Sequence, residues 1–184
     1  MIALGELIVP AKVVRLGDSP HLPILSKTMS EGLVDQSVKF NKRIASEDLS
    51  DYKVVSRGQL VVGFPIDEGV VGVQRLYDRA VVSPAYAVWN IDLNLVDADY
   101  LEAVLKHPRS LDYYRTKLRG STARRRSIPR ADFLALGFEL PSKSDQLKIR
   151  AINELRSLHQ LQARTLSALA ISLVDSAWAK PLDP

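Results

Sequence analysis

The chain has 184 residues, no cysteine and a formal net charge of +4. Its hydrophobic fraction of 46% beside 25% charged residues places it with globular proteins and excludes a disordered chain. Without cysteine there are no disulfides or thiolate metal sites, which fits a cytoplasmic location, and no apolar run is long enough for a membrane-spanning helix. Residues 1–6 also lack the basic and apolar regions of a signal peptide.

Taken in order, residues 2–8 and 13–16 are short apolar pieces around Pro10, read as a turn of helix and a strand. Residues 22–26 read as an edge strand, because Pro23 has no N–H to give to a ladder. Glu31-Gly32 is a turn signal, and Leu33-Val34 and Val38-Lys39-Phe40 then alternate as strands do. Ser46 is placed to cap a helical turn ending at Leu49. Strand runs follow at 52–55, 59–62, 70–73, 80–82 and 86–89, separated by Gly and Pro. Many short β-branched runs of this kind predict a twisted, mainly antiparallel sheet or irregular barrel.

After Trp89 the period changes. Asp97 is an N-cap for a helix over 98–106, with Tyr100, Leu101, Val104 and Leu105 on one face. Pro108 should stop it. Ser110 is then expected to cap a second helix over 111–118, with Gly120 as its C-cap. A short apolar segment at 133–136 and an extended Phe138-Glu139-Leu140-Pro141 lead into a long helical pattern near Ser144.

From 144 to 180 there is neither Gly nor Pro. Leu147, Leu158 and Leu169 recur every eleven residues, as do Leu155, Leu166 and Ala177. Eleven residues close almost three turns, so this stripe runs nearly straight. A helix of that length is about 55 Å long, whereas a domain of this size is about 30 Å across. The helix should overhang, with Ile152, Leu155, Leu158, Leu166, Leu169 and Leu173 as a dimerisation face. His159, Gln162 and Thr165 interrupt the stripe; they either set the register of a coiled coil or face solvent. The expected fold class is therefore α+β: a mixed, mainly antiparallel β-rich domain over residues 1–141, then one long helix over 142–184 that pairs in an antiparallel coiled coil.

No chemistry-bearing motif survives inspection. The glycines never form a phosphate-binding pattern, and His21, His107 and His159 are too scattered for a metal site. Asp51-Tyr52-Lys53 looks like a nuclease fragment without its second acid. Ser83-Pro84-Ala85-Tyr86 approaches the loop with which amino-methyltransferases hold a flipped base. Ala85 replaces the expected proline, however, and no glycine-rich cofactor strand precedes it, so it reads as a turn.

The positive signal is charge. Arg115, Lys117, Arg119, Arg124, Arg125, Arg126 and Arg130 fall in one window that contains no Asp or Glu. Arginine forks suit phosphates and the guanine edge, and Ser121, Thr122 and Ser127 add neutral donors. Gly120 is read as the hinge of a loop approaching a duplex. Either this is an electrostatic footprint for a polyanion, or it is a solvated face paired with acids from elsewhere.

Here the sequence resembles the specificity (S) subunit of type I restriction–modification systems. Gly120-Ser121-Thr122-Ala123-Arg124-Arg125-Arg126 resembles the Gly-Ser/Ala-Thr-basic loop that closes a target recognition domain. Phe133, then Phe138-Glu139-Leu140-Pro141, Gln146 and Ile149 resemble that family's apolar-Leu-Pro strand followed by Glu-Gln and Ile on a helix, with Asp145 where Glu is usual. Asp51-Tyr52-Lys53-Val54-Val55 with Gly58-Gln59-Leu60-Val61, and the run from Val82 to Trp89, are similar to its Tyr-Lys-Val-Val…Gly-Asp-Leu and Val-Ser-Pro-x-Tyr-x-Val-Phe segments.

The resemblance implies a non-catalytic DNA reader without a cofactor. In that family two recognition domains, joined by two antiparallel helices, each read half of a bipartite site. The helices dock DNA methyltransferase (modification) subunits, and a restriction/translocase subunit joins them. One domain and one helix imply a half-subunit that acts as a homodimer on double-stranded DNA, with no membrane partner. The residues expected at DNA are those of the basic window with Ser121 and Thr122, and Lys27 outside it. Two alternatives remain at this stage: a helical adaptor with an incidental basic surface, and a fragment of a DNA methyltransferase.

Overall fold

The computed structural model describes residues 1–18, 22–28, 32–39, 48–119 and 127–178, with the side chains of 27, 28, 38, 39 and 157 left out. The chain is mixed α+β, with antiparallel sheets and a long C-terminal helix. Strand β1 (Ile2–Ala3) leads through a 3-10 turn, Leu4–Glu6, to β2 (Ile8–Pro10). Next come β3 (Leu25–Thr28), β4 (Gly32–Asp35), α1 (Gln36–Lys39), β5 (Lys53–Ser56), β6 (Leu60–Val62), β7 (Val71–Val73), β8 (Arg79–Val82) and β9 (Ala87–Ile91). Three helices follow: α2 (Ala98–Leu105), α3 (Pro108–Lys117) and α4 (Arg130–Leu134). Strand β10 (Gly137–Phe138) and helix α5 (Lys143–Trp178) complete the chain.

The central sheet has the order β2-β9-β6-β7, and every adjacent pair in it is antiparallel. Two-residue alternation sends its side chains to two cores. Leu60, Val62 and Trp89 face the helices, where Leu101, Leu105, Tyr114 and Phe133 meet them. Val61 and Val88 face the other way, onto Leu25, Val55, Ala80 and Val82 of the paired strands β3–β4 and β5–β8. Burial on both faces is why β6 reads as an unbroken Leu-Val-Val.

One side chain bonds to the outer edge of β7, which is buried beneath β4 and α2. Glu102 of α2 accepts the Val73 N–H at 3.1 Å and pairs with Arg75 at 2.6 Å and with Lys106. Burial alone would raise the Glu102 pKa, but Lys106 and Arg75 outweigh it and hold the carboxyl below its ordinary value.

Three local expectations need correction. Val38-Lys39 is not a strand: Asp35 accepts the Ser37 N–H at 2.8 Å and its hydroxyl at 2.6 Å, and this cap starts the turn of α1. Phe40 and Ser46 lie outside the described residues. Pro108 does begin where α2 ends, but it is also the first residue of α3. The N-cap is His107, whose Nδ1 accepts the Arg109 N–H at 3.2 Å. Proline suits that position because its missing N–H would have no partner there. Ser110 lies inside the helix and donates to the Val104 carbonyl at 2.6 Å, and the C-cap is Leu118, not Gly120. Finally, the 13–16 strand is reduced to a single bridge between Arg15 and Lys53.

Helix α5 has 36 residues, or about 54 Å. Ser142 caps it, accepting the Asp145 N–H at 3.2 Å while its hydroxyl donates to the Asp145 carboxylate at 2.8 Å. Among the described residues only the first three turns dock. Gln146, 1% exposed, accepts the Asp97 N–H at 2.7 Å and donates to the Pro141 carbonyl at 2.9 Å. Ile149 packs on the core, and Arg150 lies 3.6 Å from Asp99. From 154 onward every described residue of the helix is exposed.

Candidate nucleic-acid interface

The basic window is built on the end of α3 and the start of α4. Arg115 and Lys117 occupy the last turn of α3, where cations oppose the negative end of the helix. Arg119 follows. Its backbone forms a closed pair with Ser127, N–H to carbonyl at 3.1 Å in both directions. Arg119 and Ser127, which bracket residues 120–126, therefore lie side by side at the approach to α4. Ser121, Thr122, Arg124, Arg125 and Arg126 lie outside the described residues.

The cations that are described do not share one direction. Arg115 pairs with Asp112 at 2.6 Å and donates to the Asp67 carbonyl at 3.3 Å. Lys117 and Arg119 turn toward Asp132 of α4, each at 3.9 Å. Acids thus sit beside the window in space although none lies within it in sequence. At 3.9 Å and with the Arg119 side chain 79% exposed, these pairs are weak and screened by solvent. Lys27 belongs to a different place, on β3 opposite Leu33.

Arg130 does something the charge pattern could not indicate. Its guanidinium lies 5.4 Å from the centre of the Trp89 ring, a cation–π geometry. Trp89 and Phe133, with ring centres 5.7 Å apart, form the floor of an open cleft of about 180 Å³ walled by Phe64, Ile128 and Arg130. Gly63 also lines the cleft, and a Cβ there would come within 2.8 Å of Val70 and 2.9 Å of the Tyr86 ring. Sequence reasoning missed Trp89 and Phe64 as neighbours of the basic edge. Forty-one positions separate Trp89 from Arg130: the β6–β9 pairing sets Leu60 opposite Trp89, and the packing of Phe133 on Trp89 brings α4 alongside.

Two motifs set aside as decoys prove to be one structural device. The Lys53 ammonium donates to the Tyr86 carbonyl at 2.6 Å, while Asp51 turns away to Arg15. Lys53 therefore holds the Ser83–Tyr86 turn, which is closed by the Tyr86 N–H on the Ser83 carbonyl at 3.0 Å. Burial first, and Arg15 second, lower the Lys53 pKa. Among the described residues there is no helix long and apolar enough to cross a membrane.

No family model and no curated protein matches the sequence. Among solved structures the chain is similar to the HsdS subunit from Thermoanaerobacter tengcongensis, at a TM-score of 0.57 and 16% identity, over 100% of this chain and 50% of that one. It is also similar to a chain solved in work on complex assembly and conformational transition of the type I R-M system, at a TM-score of 0.49 and 15% identity, over 95% of this chain and 41% of that one. The chain spans about half the length of the solved subunit it matches. At such identity the likeness is one of architecture, and on that ground this chain has, over its whole length, the fold of half of an HsdS subunit, the specificity subunit of a type I restriction–modification system.

Proposed function

We propose that this chain is a specificity half-subunit of a type I restriction–modification system, a cytoplasmic, non-catalytic reader of double-stranded DNA. The head, residues 1–141, contacts the duplex; the helix, residues 142–184, joins two copies antiparallel and presents them to a DNA methyltransferase subunit and a restriction/translocase subunit. Two heads related by a two-fold axis would read the halves of a palindromic, bipartite site. The observation that carries this is the span of the fold likeness: the whole chain, helix included, matches half of an HsdS chain.

The charge layout supports the DNA assignment. Lys117 and Arg119 have partners they can exchange for phosphate, and they flank residues 120–126 with Arg124, Arg125 and Arg126. Arg130, held on Trp89, and the apolar cleft beside it offer a surface for a base edge rather than for a phosphate.

Salt titration of duplex binding tests this. Affinity should fall steeply as salt rises. Arg119→Ala should weaken binding to all sequences alike and reduce the logarithmic salt slope by about 1, whereas Arg125→Ala or Arg126→Ala should cost about 1–3 kcal/mol if its contact is to a base. Duplex binding that is absent, or indifferent to salt, would remove DNA from the function. It would leave the adaptor alternative, which the exposed stripe on α5 serves by itself.

A further inference from the structure

Apart from Ile152, whose mirror position is Ser172, the stripe on α5 is symmetric about one residue. Counting outward from Gln162, Leu158 and Leu166 lie four positions away on either side, Leu155 and Leu169 seven, Ala151 and Leu173 eleven, and Leu147 and Ala177 fifteen. The two other polar interruptions, His159 and Thr165, lie three positions away on either side. At 3.6 residues per turn these steps all fall on one face. The leucines among them are each more than half exposed.

From this we infer that α5 pairs with α5 of a second copy, antiparallel, about a two-fold axis at Gln162. The inference rests on the pairing proposed above and adds its register. An antiparallel two-fold sets the residue n positions before the axis opposite the residue n positions after it. A parallel pair sets each residue opposite itself, and a different protein imposes no symmetry on the stripe. Only the antiparallel self-pair uses the palindrome. It layers Leu158 on Leu166, Leu155 on Leu169 and Ala151 on Leu173.

Gln162 then meets its own copy. A carboxamide carries both donors and an acceptor, so two of them facing each other satisfy one another. Sliding the pair by four residues sets Gln162 against Leu158 or Leu166 and buries it unsatisfied, so a single polar layer fixes the register.

Among the described residues, nothing in the head obstructs this arrangement. Gln146, Ile149 and Asn153, which are buried or half-buried at the head, lie on the opposite side of the helix from the stripe. Leu147, one residue from the buried Gln146, is 51% exposed. The partner's last turns can therefore lie along the first turns of α5. The span from 147 to 177 is about 45 Å; with about a third of the girth of a helix it covers roughly 500 Å² per copy. Together that is about 1,000 Å², the lower bound for a specific interface.

The absence of native cysteine makes the register directly measurable. Single variants Gln162→Cys, Ala151→Cys and Leu173→Cys are oxidised at micromolar concentration and resolved on non-reducing gels, after sedimentation velocity has established the dimer of each. Helix axes about 9 Å apart bring facing Cα atoms at the axis within disulfide reach. Gln162→Cys should link to itself. Ala151→Cys and Leu173→Cys should each fail alone but link to one another when mixed. Self-linking by Ala151→Cys and Leu173→Cys would mean a parallel pair, and a dimer in which Gln162→Cys does not link would mean another register; either overturns the inference while leaving pairing intact. If the unmodified chain sediments only as a monomer, the pairing itself fails.

Discussion

Leu101 and Leu166 are the same side chain in two helices of one chain, and their circumstances are opposite. Leu101 of α2 is fully buried between the central sheet and the helical layer, whereas Leu166 of α5 is 67% exposed. The head satisfies its apolar surface internally; the arm does not. The difference shows where each part obtains its stability: the head from its own core, the arm beyond its third turn only from helical propensity or from something that covers it.

The contrast is sharpest in denaturation. Leu101→Ala should destabilise the head by about 2–5 kcal/mol in urea unfolding, since it removes a buried side chain and leaves a cavity. Gln146 marks the boundary between the regions. Gln146→Ala strands the Asp97 N–H and the Pro141 carbonyl and should cost about 2–3 kcal/mol, read by the same measurement. It should also raise the protection-free fraction of the first turns of α5 in hydrogen exchange.

Glu102→Gln comes next, at about 1–3 kcal/mol, through the Arg75 and Lys106 pairs and the Val73 N–H. Its pH dependence has a definite sign. The folded pKa lies below the ordinary glutamate value, so the stabilisation is present above that ordinary value and is lost as pH falls through the folded one. Thermal unfolding of the parent should therefore lose stability on acidification below about pH 4, and Glu102→Gln should lose less over the same interval. The smallest effect belongs to the arm. Leu166→Ala at high dilution should change stability by less than about 0.5 kcal/mol, as an exposed substitution does. A monomer as sensitive to Leu166→Ala as to Leu101→Ala would end the distinction between the two parts.

Much of the head was legible in the sequence because its signals are local. Gly- and Pro-bounded β-branched runs marked β5 to β9 within a residue or two, and Asp97 caps α2 as its side chain chemistry demands, accepting from Asp99 and Tyr100. Where local signals conflicted, tertiary structure settled them. Val38 alternates as a strand would, but the Asp35 cap turns the chain into α1. Pro108 reads as a stop and serves as a start, because His107 supplies a cap for the next helix. Charge was the least legible. A window free of acids in sequence acquires Asp112 and Asp132 in space, and the exposed Arg130 lies over an indole.

The sequence by itself determined the strand runs of the head, the length of the arm and the symmetric stripe along it, because each depends on a period or a cap acting over a few residues. Only the tertiary structure decided which polar groups are buried, which cations already have partners, and where the arm leaves the head. Those outcomes depend on residues far apart in sequence meeting in a medium of low polarity, as Gln146 meets Asp97 across forty-nine positions.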